Sequence, residues 1–280
     1  MKCNKSVGMN LDSKELLKEA MPLEGGISII GSGNLSWHVT RRLFFCGYSI
    51  NSVFSNGLDN AKLLAQQVRA KAVDKIGMIL PSDLYLFAVK DDAYQEIIDV
   101  FPKTTAICVH TSGSLDRDIL RKLSDNYGVL YPFQTFSKWK DIDFENVPIC
   151  VEGSNPHTAK LLFDMAKHLS GNAHFVDTQQ RAYLHLAGVF ACNFTNAMYG
   201  IAEQIAKQQQ IDFEIIKPLI METASKIKTL SPAKAQTGPA KRNDQTIVQK
   251  HIELLTNPLW KEAYKLMSDI ITIEQYDEKL

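Results

Sequence analysis

Apolar positions change their spacing part-way along this 280-residue chain. From residue 27 to about 177, short strand-like runs, the first of them β-branched (Ile27, Ile29, Ile30), alternate with stretches whose apolar residues recur every three to four positions. The runs predict strands at 27–30, 49–54, 71–73, 83–89, 105–110, 127–131, 147–151 and 173–176. The helical pattern falls at 35–46, 58–69, 92–100, 115–124 and 156–169. Strands alternating with helices predict an α/β architecture, a mostly parallel sheet with helices on both faces. Beyond 178 the strand signal disappears. A helical pattern without internal proline runs from Thr178 to Gln209, and others follow near 212–229, 244–255 and 258–270. The predicted organisation is an extension at 1–26, an α/β domain at 27–177 and an all-α domain at 178–280. In the extension, Asp12 or Ser13 could cap a short helix to about Met21, which Pro22 and Gly25-Gly26 break.

Composition narrows the class. Hydrophobic residues make up 45% and charged residues 22%, the balance of a globular protein. Lys+Arg 31 equals Asp+Glu 31, so net charge gives no attraction to nucleic acid or to an anionic membrane. No apolar run reaches the ~20 residues that span a bilayer, and the N-terminus reads as lacking a secretory signal. Five scattered cysteines form no C-x-x-C pair, which argues against zinc and dithiol chemistry. Cys46, Cys108, Cys150 and Cys192 sit among apolar residues and read as small core residues in a reducing, cytoplasmic compartment.

The first strand runs into Gly31-Ser32-Gly33, and Asn34-Leu35 opens the next helix. Strand, glycine turn and helix is the context in which G-x-G binds a dinucleotide: Gly31 for the tight turn, Gly33 for close approach of a pyrophosphate, helix amides facing the anion. Ser36 stands where the third fingerprint glycine would be, and serine is small enough for close packing. The same layout serves S-adenosylmethionine-dependent methyltransferases. About 20 residues further on, where an acid holds the ribose of NAD, stands Ser55-Asn56-Gly57. Ser55 and Asn56, with Lys62 or Arg41 nearby, could bond a 2′-phosphate, which favours NADP with NAD still possible; the alternative is a plain turn.

Ligands of such a sheet bind beyond the carboxyl ends of its strands. After the fourth strand, Val89 and Lys90 could lie along the cofactor, and Asp91 or Asp92 could cap a helix. After the fifth, His110-Thr111-Ser112-Gly113-Ser114 suits an anion or carbonyl, or is a capped loop. Tyr131-Pro132-Phe133-Gln134-Thr135-Phe136-Ser137 could wall a site or pack for structural reasons. Arg181, His185 and roughly Asn193 and Asn196 can share one face of the helix from Thr178. In the loop Ala235 to Asp244, Lys241 and Arg242 could reach a phosphate or carboxylate, and Asp244 could cap the next helix.

These stretches, with Leu184 to Phe194 and Thr237 to Asp244, resemble an uncharacterised family of predicted NADP-dependent oxidoreductases, a Rossmann-like domain joined to a helical domain of unknown function. That family is related to pyrroline-5-carboxylate reductases, deazaflavin-dependent NADP oxidoreductases and β-hydroxyacid dehydrogenases. The resemblance implies cofactor binding at Gly31, Ser32, Gly33, Asn34 and Leu35, with Ser55 and Asn56 at the adenosine ribose and Val89 and Lys90 beside the cofactor. It also implies that the long helix closes the cleft and supports a homodimer. Two positions depart: Asn56 replaces the family's frequent Arg, and Val189 fills the slot of the hydroxyacid dehydrogenases' lysine. The expectation is an oxidoreductase passing hydride between NADP and a small carbonyl or imine substrate. His185 would donate or accept the proton, and Ser112 and Asn193 would polarise the reacting atom. No metal is expected. The alternative is a non-catalytic NADP(H)-binding sensor.

Overall fold

The computed structural model describes residues 23–277, with side chains described as far as 273. The short helix expected near Asp12 to Met21 and the cysteine Cys3 lie outside the described residues. Two compact units divide between Cys192 and Asn193.

The first unit is built on one eight-stranded sheet: β1 Ile27–Ile30, β2 Ile50–Phe54, β3 Lys71–Val73, β4 Leu84–Phe87, β5 Ile107–His110, β6 Tyr127–Pro132, β7 Ile149–Gly153 and β8 Ala173–Phe175. The spatial order is β3-β2-β1-β4-β5-β6-β7-β8. Every pairing is parallel except β6 with β7, where Leu130 faces Val151. The order reverses between β1 and β4, the switch point where such sheets open a crevice.

Alternation along the strands explains the two cores. Ile27 and Ile29 join Val39 and Leu43 of α1 (Asn34–Phe45), Leu64 of α2 (Leu58–Gln67) and Leu162, Met165 and Leu169 of α4 (Pro156–Ser170). The next residue of β1, Ile30, points the other way, to Phe54, Phe87 and the Tyr94, Ile97 and Ile98 side chains of α3 (Tyr94–Val100). The helix expected at 115–124 is only a 3-10 turn, Arg117–Leu120. Side chains compete for its amides: Ser112 Oγ accepts from Leu115 N–H at 3.1 Å, Asp116 from Asp118 N–H at 2.7 Å, and Thr178 Oγ from Arg117 N–H at 3.3 Å. Cys108 and Cys150 are buried as expected, but Cys192 is exposed. It sits in a π-helical turn, Val189–Phe194, whose apolar residues face outward.

That turn interrupts the single helix expected from 178 to 209. Before it runs α5, Thr178–Gly188; after it runs α6, Thr195–Gln208. A capping box starts α5, with Asp177 accepting from Gln180 N–H and the Gln180 side chain accepting from Asp177 N–H. The second unit continues with α7 (Lys217–Lys226), the short α8 (Pro232–Ala235), α9 (Gln245–Leu254) and α10 (Pro258–Asp277), which outruns its expected end near 270. Among its described residues the only buried apolar side chains are Ala206, Ala240 and Val248. No described helix is long and apolar enough to cross a membrane.

One ion cluster fixes α5 to the sheet. Arg181, 1% exposed, donates from Nη1 to Glu152 Oε2 at 2.7 Å and from Nη2 to the Leu115 carbonyl at 2.6 Å. Thr178 Oγ donates to the same carboxylate at 2.9 Å, and Arg117 Nη1 lies 3.3 Å from its other oxygen. Removing one partner of a buried pair strands the other charge. Glu152→Ala is therefore expected to lower the unfolding free energy by about 3–5 kcal/mol, read as a lower urea midpoint.

Candidate active site

The glycine turn lies at the switch point. Gly31 has φ +119, and a Cβ there would stand 2.2 Å from the Ala88 carbonyl oxygen at the end of β4. Only glycine fits. A Cβ on Gly33 would meet nothing within 4 Å, so that position borders open space. Gly33 is the N-cap of α1 and has no side-chain cap, and the first turn of α1 carries no acid. Its leading amides, those of Asn34 and Leu35 among them, are thus left for an anion. Ser36 takes the third glycine's place by donating to the Gly31 carbonyl at 2.7 Å, fully buried. A cradle shaped in this way fits a pyrophosphate.

Beside it, Ser32 Oγ donates to Ser55 Oγ at 2.9 Å, which ties the glycine turn to the end of β2. Asn56 is exposed next to it. Lys62 pairs with Asp59 at 3.3 Å on α2, and Arg41 stands 3.8 Å from Asp141. Val89 borders Gly31, and Lys90 is exposed. Asp91 caps no helix. It accepts a hydrogen bond from Ser114 Oγ, which links the β4 and β5 loops.

The β5 end divides its polar groups. His110 is fully buried, and desolvation pushes its imidazole down to about 3, with the Arg181 charge acting the same way. Its Nδ1 accepts from Ser112 N–H at 3.2 Å, so it shapes the turn. Ser112 Oγ accepts from the amides of Ser114 and Leu115, both at 3.1 Å, and lies 3.3 Å from Ser114 Oγ. Its hydroxyl is largely committed to that loop.

Above this end, α5 carries His185 one turn beyond the anchored Arg181. Its Nδ1 lies 2.9 Å from the Tyr131 hydroxyl at the end of β6, with the rings edge-on at 6.1 Å. His185 is exposed, whereas Tyr131 is buried. Gly113 makes room for both: a Cβ there would come within 2.7 Å of His185 Nδ1 and 2.9 Å of Tyr131 Cζ. One turn on, a Cβ at Gly188 would meet the Phe133 ring at 2.7 Å. The Tyr131–Phe133 segment thus lies along α5. Asn193 is exposed in the π-helical turn, and Asn196 is exposed in α6.

Comparison with known proteins now bears on this geometry. A model of the domain of unknown function DUF2520 matches residues 147–271. The solved structure of the putative NADP oxidoreductase BF3122 from Bacteroides fragilis is 37% identical, with a TM-score of 0.84, covering 88% of this chain and 97% of that one. The chain belongs to the family of this putative NADP oxidoreductase. Two more distant structures share the fold. TM1727 from Thermotoga maritima is 23% identical (TM-score 0.67, 89% of this chain and 99% of that one). A reductive aminase from Aspergillus terreus, solved with NADPH and ethyl-5-oxohexanoate, is 13% identical (TM-score 0.67, 89% and 94%). No curated protein matches the sequence.

The groups that sequence alone did not single out are Tyr131 as the partner of His185, Gly113 as the space between them and Glu152 as the counterion of Arg181. A glycine within a Ser-Gly-Ser loop signals a tight approach but does not say to what. Gly113→Ala is expected to fold but to force the His185–Tyr131 pair apart, with about tenfold or greater loss of whatever turnover depends on it. Loss of the Tyr131–His185 hydrogen bond in a crystal structure of the variant checks the cause.

Proposed function

We propose that this protein is an NADP-dependent oxidoreductase that moves a hydride between nicotinamide and a small carbonyl or imine compound. The observation that carries the reading is the uncapped α1 start above Gly31 and Gly33 at the β1/β4 switch point, in the same unit as an exposed histidine held over the β5 and β6 ends. The name of BF3122 supports the choice of cofactor.

Gly31, Ser32, Gly33, Asn34 and Leu35 would hold the pyrophosphate with backbone amides. Ser55 and Asn56 would bond the adenosine ribose and its 2′-phosphate, with no carboxylate at the end of β2 to repel it. Val89 and Lys90 would flank the cofactor. Bound there, NADPH supplies the hydride, and the protein supplies orientation and charge stabilisation. His185 faces the developing charge on the substrate heteroatom. Ser112 supports the loop, and any contribution from Asn193 comes from the second unit. The functional division proposed is a dinucleotide-binding domain at 27–177 and a helical substrate and dimerisation domain at 178–280, following the extension 1–26.

Titration with NADPH and NADH tests the reading. NADPH is expected to bind at least about tenfold more tightly than NADH, roughly the 1.4 kcal/mol that one charge-assisted contact supplies. His185→Ala should keep that binding and lose about a hundredfold or more of the turnover of small carbonyls or imines. Absence of nicotinamide binding sinks the reading. Binding with turnover indifferent to His185→Ala would leave an NADP(H)-binding sensor.

The partner we propose is a second copy of the chain, joined through the helical unit. Leu219, Met221, Leu254, Leu259 and Leu266 are each more than 60% exposed, and few side chains there are buried. Helices with such faces stay soluble by covering them. Light scattering is expected to give a dimer mass, and Leu219→Asp with Leu259→Asp is expected to shift it toward the monomer.

A further inference from the structure

The hydrogen bond between Tyr131 and His185 decides more than the position of the ring. Resting on the reductase reading above, we propose that Tyr131 fixes the His185 ring with its outward Nε2–H as a hydrogen-bond donor, and that this site takes a carbonyl oxygen rather than a cationic iminium nitrogen. Tyr131 is a positioning residue here; His185 is the group that touches substrate.

A buried hydroxyl must place its proton. Tyr131 is 8% exposed, and His185 Nδ1 is the one hydrogen-bond partner of its phenol among the described residues. Burial pushes the phenol up to about 12, with Cys150 acting the same way and Arg181 opposing, so it stays O–H through the physiological range. Its proton therefore goes to Nδ1, which accepts, and the ring proton sits on Nε2. The opposite tautomer would need Nδ1–H to donate to the phenol oxygen, which would strand the phenol proton in a buried place. The charges nearby reinforce this. Arg181 lies one turn before His185 on α5, and its carboxylate partner Glu152 on β7 is already held by Arg181, Thr178 and Arg117. The β5 loop brings Gly113 against the ring, and β7 contributes Cys150, whose thiol burial pushes up to about 11. None of these offers His185 a carboxylate of its own.

The substrate follows from the donor. During reduction the carbonyl carbon gains the hydride, in exchange for NADP⁺, and the C=O π pair moves onto oxygen. That oxygen becomes negative, and Nε2–H stabilises it. The oxygen then takes its proton from water, leaving hydroxide to the buffer, while His185 keeps its own proton. An iminium nitrogen loses positive charge in the same event and carries no lone pair to accept a hydrogen bond. A fixed N–H donor opposes its approach.

The test begins on the full-length protein without cofactor. In ¹⁵N-histidine-labelled protein at pH 8, long-range ring correlations are expected to place the His185 proton on Nε2, with Nδ1 accepting. In Tyr131→Phe the ring is expected to average between tautomers. A proton on Nδ1 in the parent protein overturns the proposal. With NADPH, small aliphatic ketones and aldehydes are compared with the permanently cationic N-methyl-3,4-dihydroisoquinolinium. Carbonyls are expected to be reduced, with kcat in Tyr131→Phe about tenfold lower and KM for NADPH unchanged. His185→Gln, which keeps a neutral N–H donor, is expected to retain about tenfold more activity than His185→Ala. Faster reduction of the iminium than of every carbonyl, no reduction of any carbonyl, or equal loss in His185→Gln and His185→Ala overturns it. Should Tyr131→Phe fail to fold, the parent spectrum and the His185→Gln comparison still decide. Failure to bind NADPH removes the reductase reading and the carbonyl assignment with it, and leaves the tautomer to the spectrum.

Discussion

The buried pair of Arg181 and Glu152 is the interaction on which the site depends. The two residues join α5 to β7, whose partner β6 carries Tyr131 opposite Cys150. With Arg181 fixed, His185 is fixed one turn later, because the helix allows no independent rotation between them. Glu152 gathers two guanidinium groups and one hydroxyl, while Arg181 also bonds the Leu115 carbonyl of the β5 loop. The cluster thus ties β5, β7 and α5 into one frame. Its cost is visible: Arg181 Nε is buried without a partner. A pair of apolar side chains would hold these elements with less desolvation but would not fix the helix's rotation so narrowly.

Within that frame, close approach is set by missing side chains. Gly31 lets the first turn touch the end of β4, Gly113 lets the His185–Tyr131 pair touch the β5 loop, and Gly188 lets Phe133 touch α5. The first contact shapes the cradle for an anion. The other two hold the Tyr131–Phe133 segment along the helix. The two alternatives for this segment, a site wall and a structural loop, are therefore the same arrangement: Phe133 packs, and Tyr131, packed just as firmly, holds the residue that meets solvent.

Much of this was legible in the sequence, and the division has physical causes. All eight strands follow from short apolar runs, and the switch-point turn follows from Gly31 and Gly33 between a strand and a helix. Local pattern suffices for these. It fails where a side chain takes a backbone partner. The 115–124 stretch has helical spacing, yet Ser112, Asp116 and Thr178 capture its amides and leave one 3-10 turn. It fails again at Val189–Phe194, where a π-helical turn interrupts the single helix that the pattern predicts and leaves Cys192 exposed. His110 illustrates a third limit. It looks like a site residue in a polar loop, but as the last residue of β5 it turns into the core, while Tyr131, the last aromatic of its strand, reaches the site. Parity does not separate the two, because His110 pairs with Val129 and so lies on Tyr131's side of the sheet; Tyr131 stands two residues further along, where its hydroxyl reaches His185.

The two units differ in how complete they are. The sheet buries apolar residues on both faces. In the helical unit, Asp244 caps α9 by accepting from Ile247 N–H at 3.2 Å, and the His251 ring meets the Tyr264 hydroxyl at 2.8 Å. Local order is therefore specified there, while most large apolar side chains face outward. A helix is stabilised chiefly by burying its apolar stripe. Among the described residues these helices are capped locally and leave much of their apolar surface exposed, and the second copy proposed above would cover it. The contrast argues that a second copy would stabilise the helical unit far more than the sheet, and that association and the order of that unit are one equilibrium rather than two.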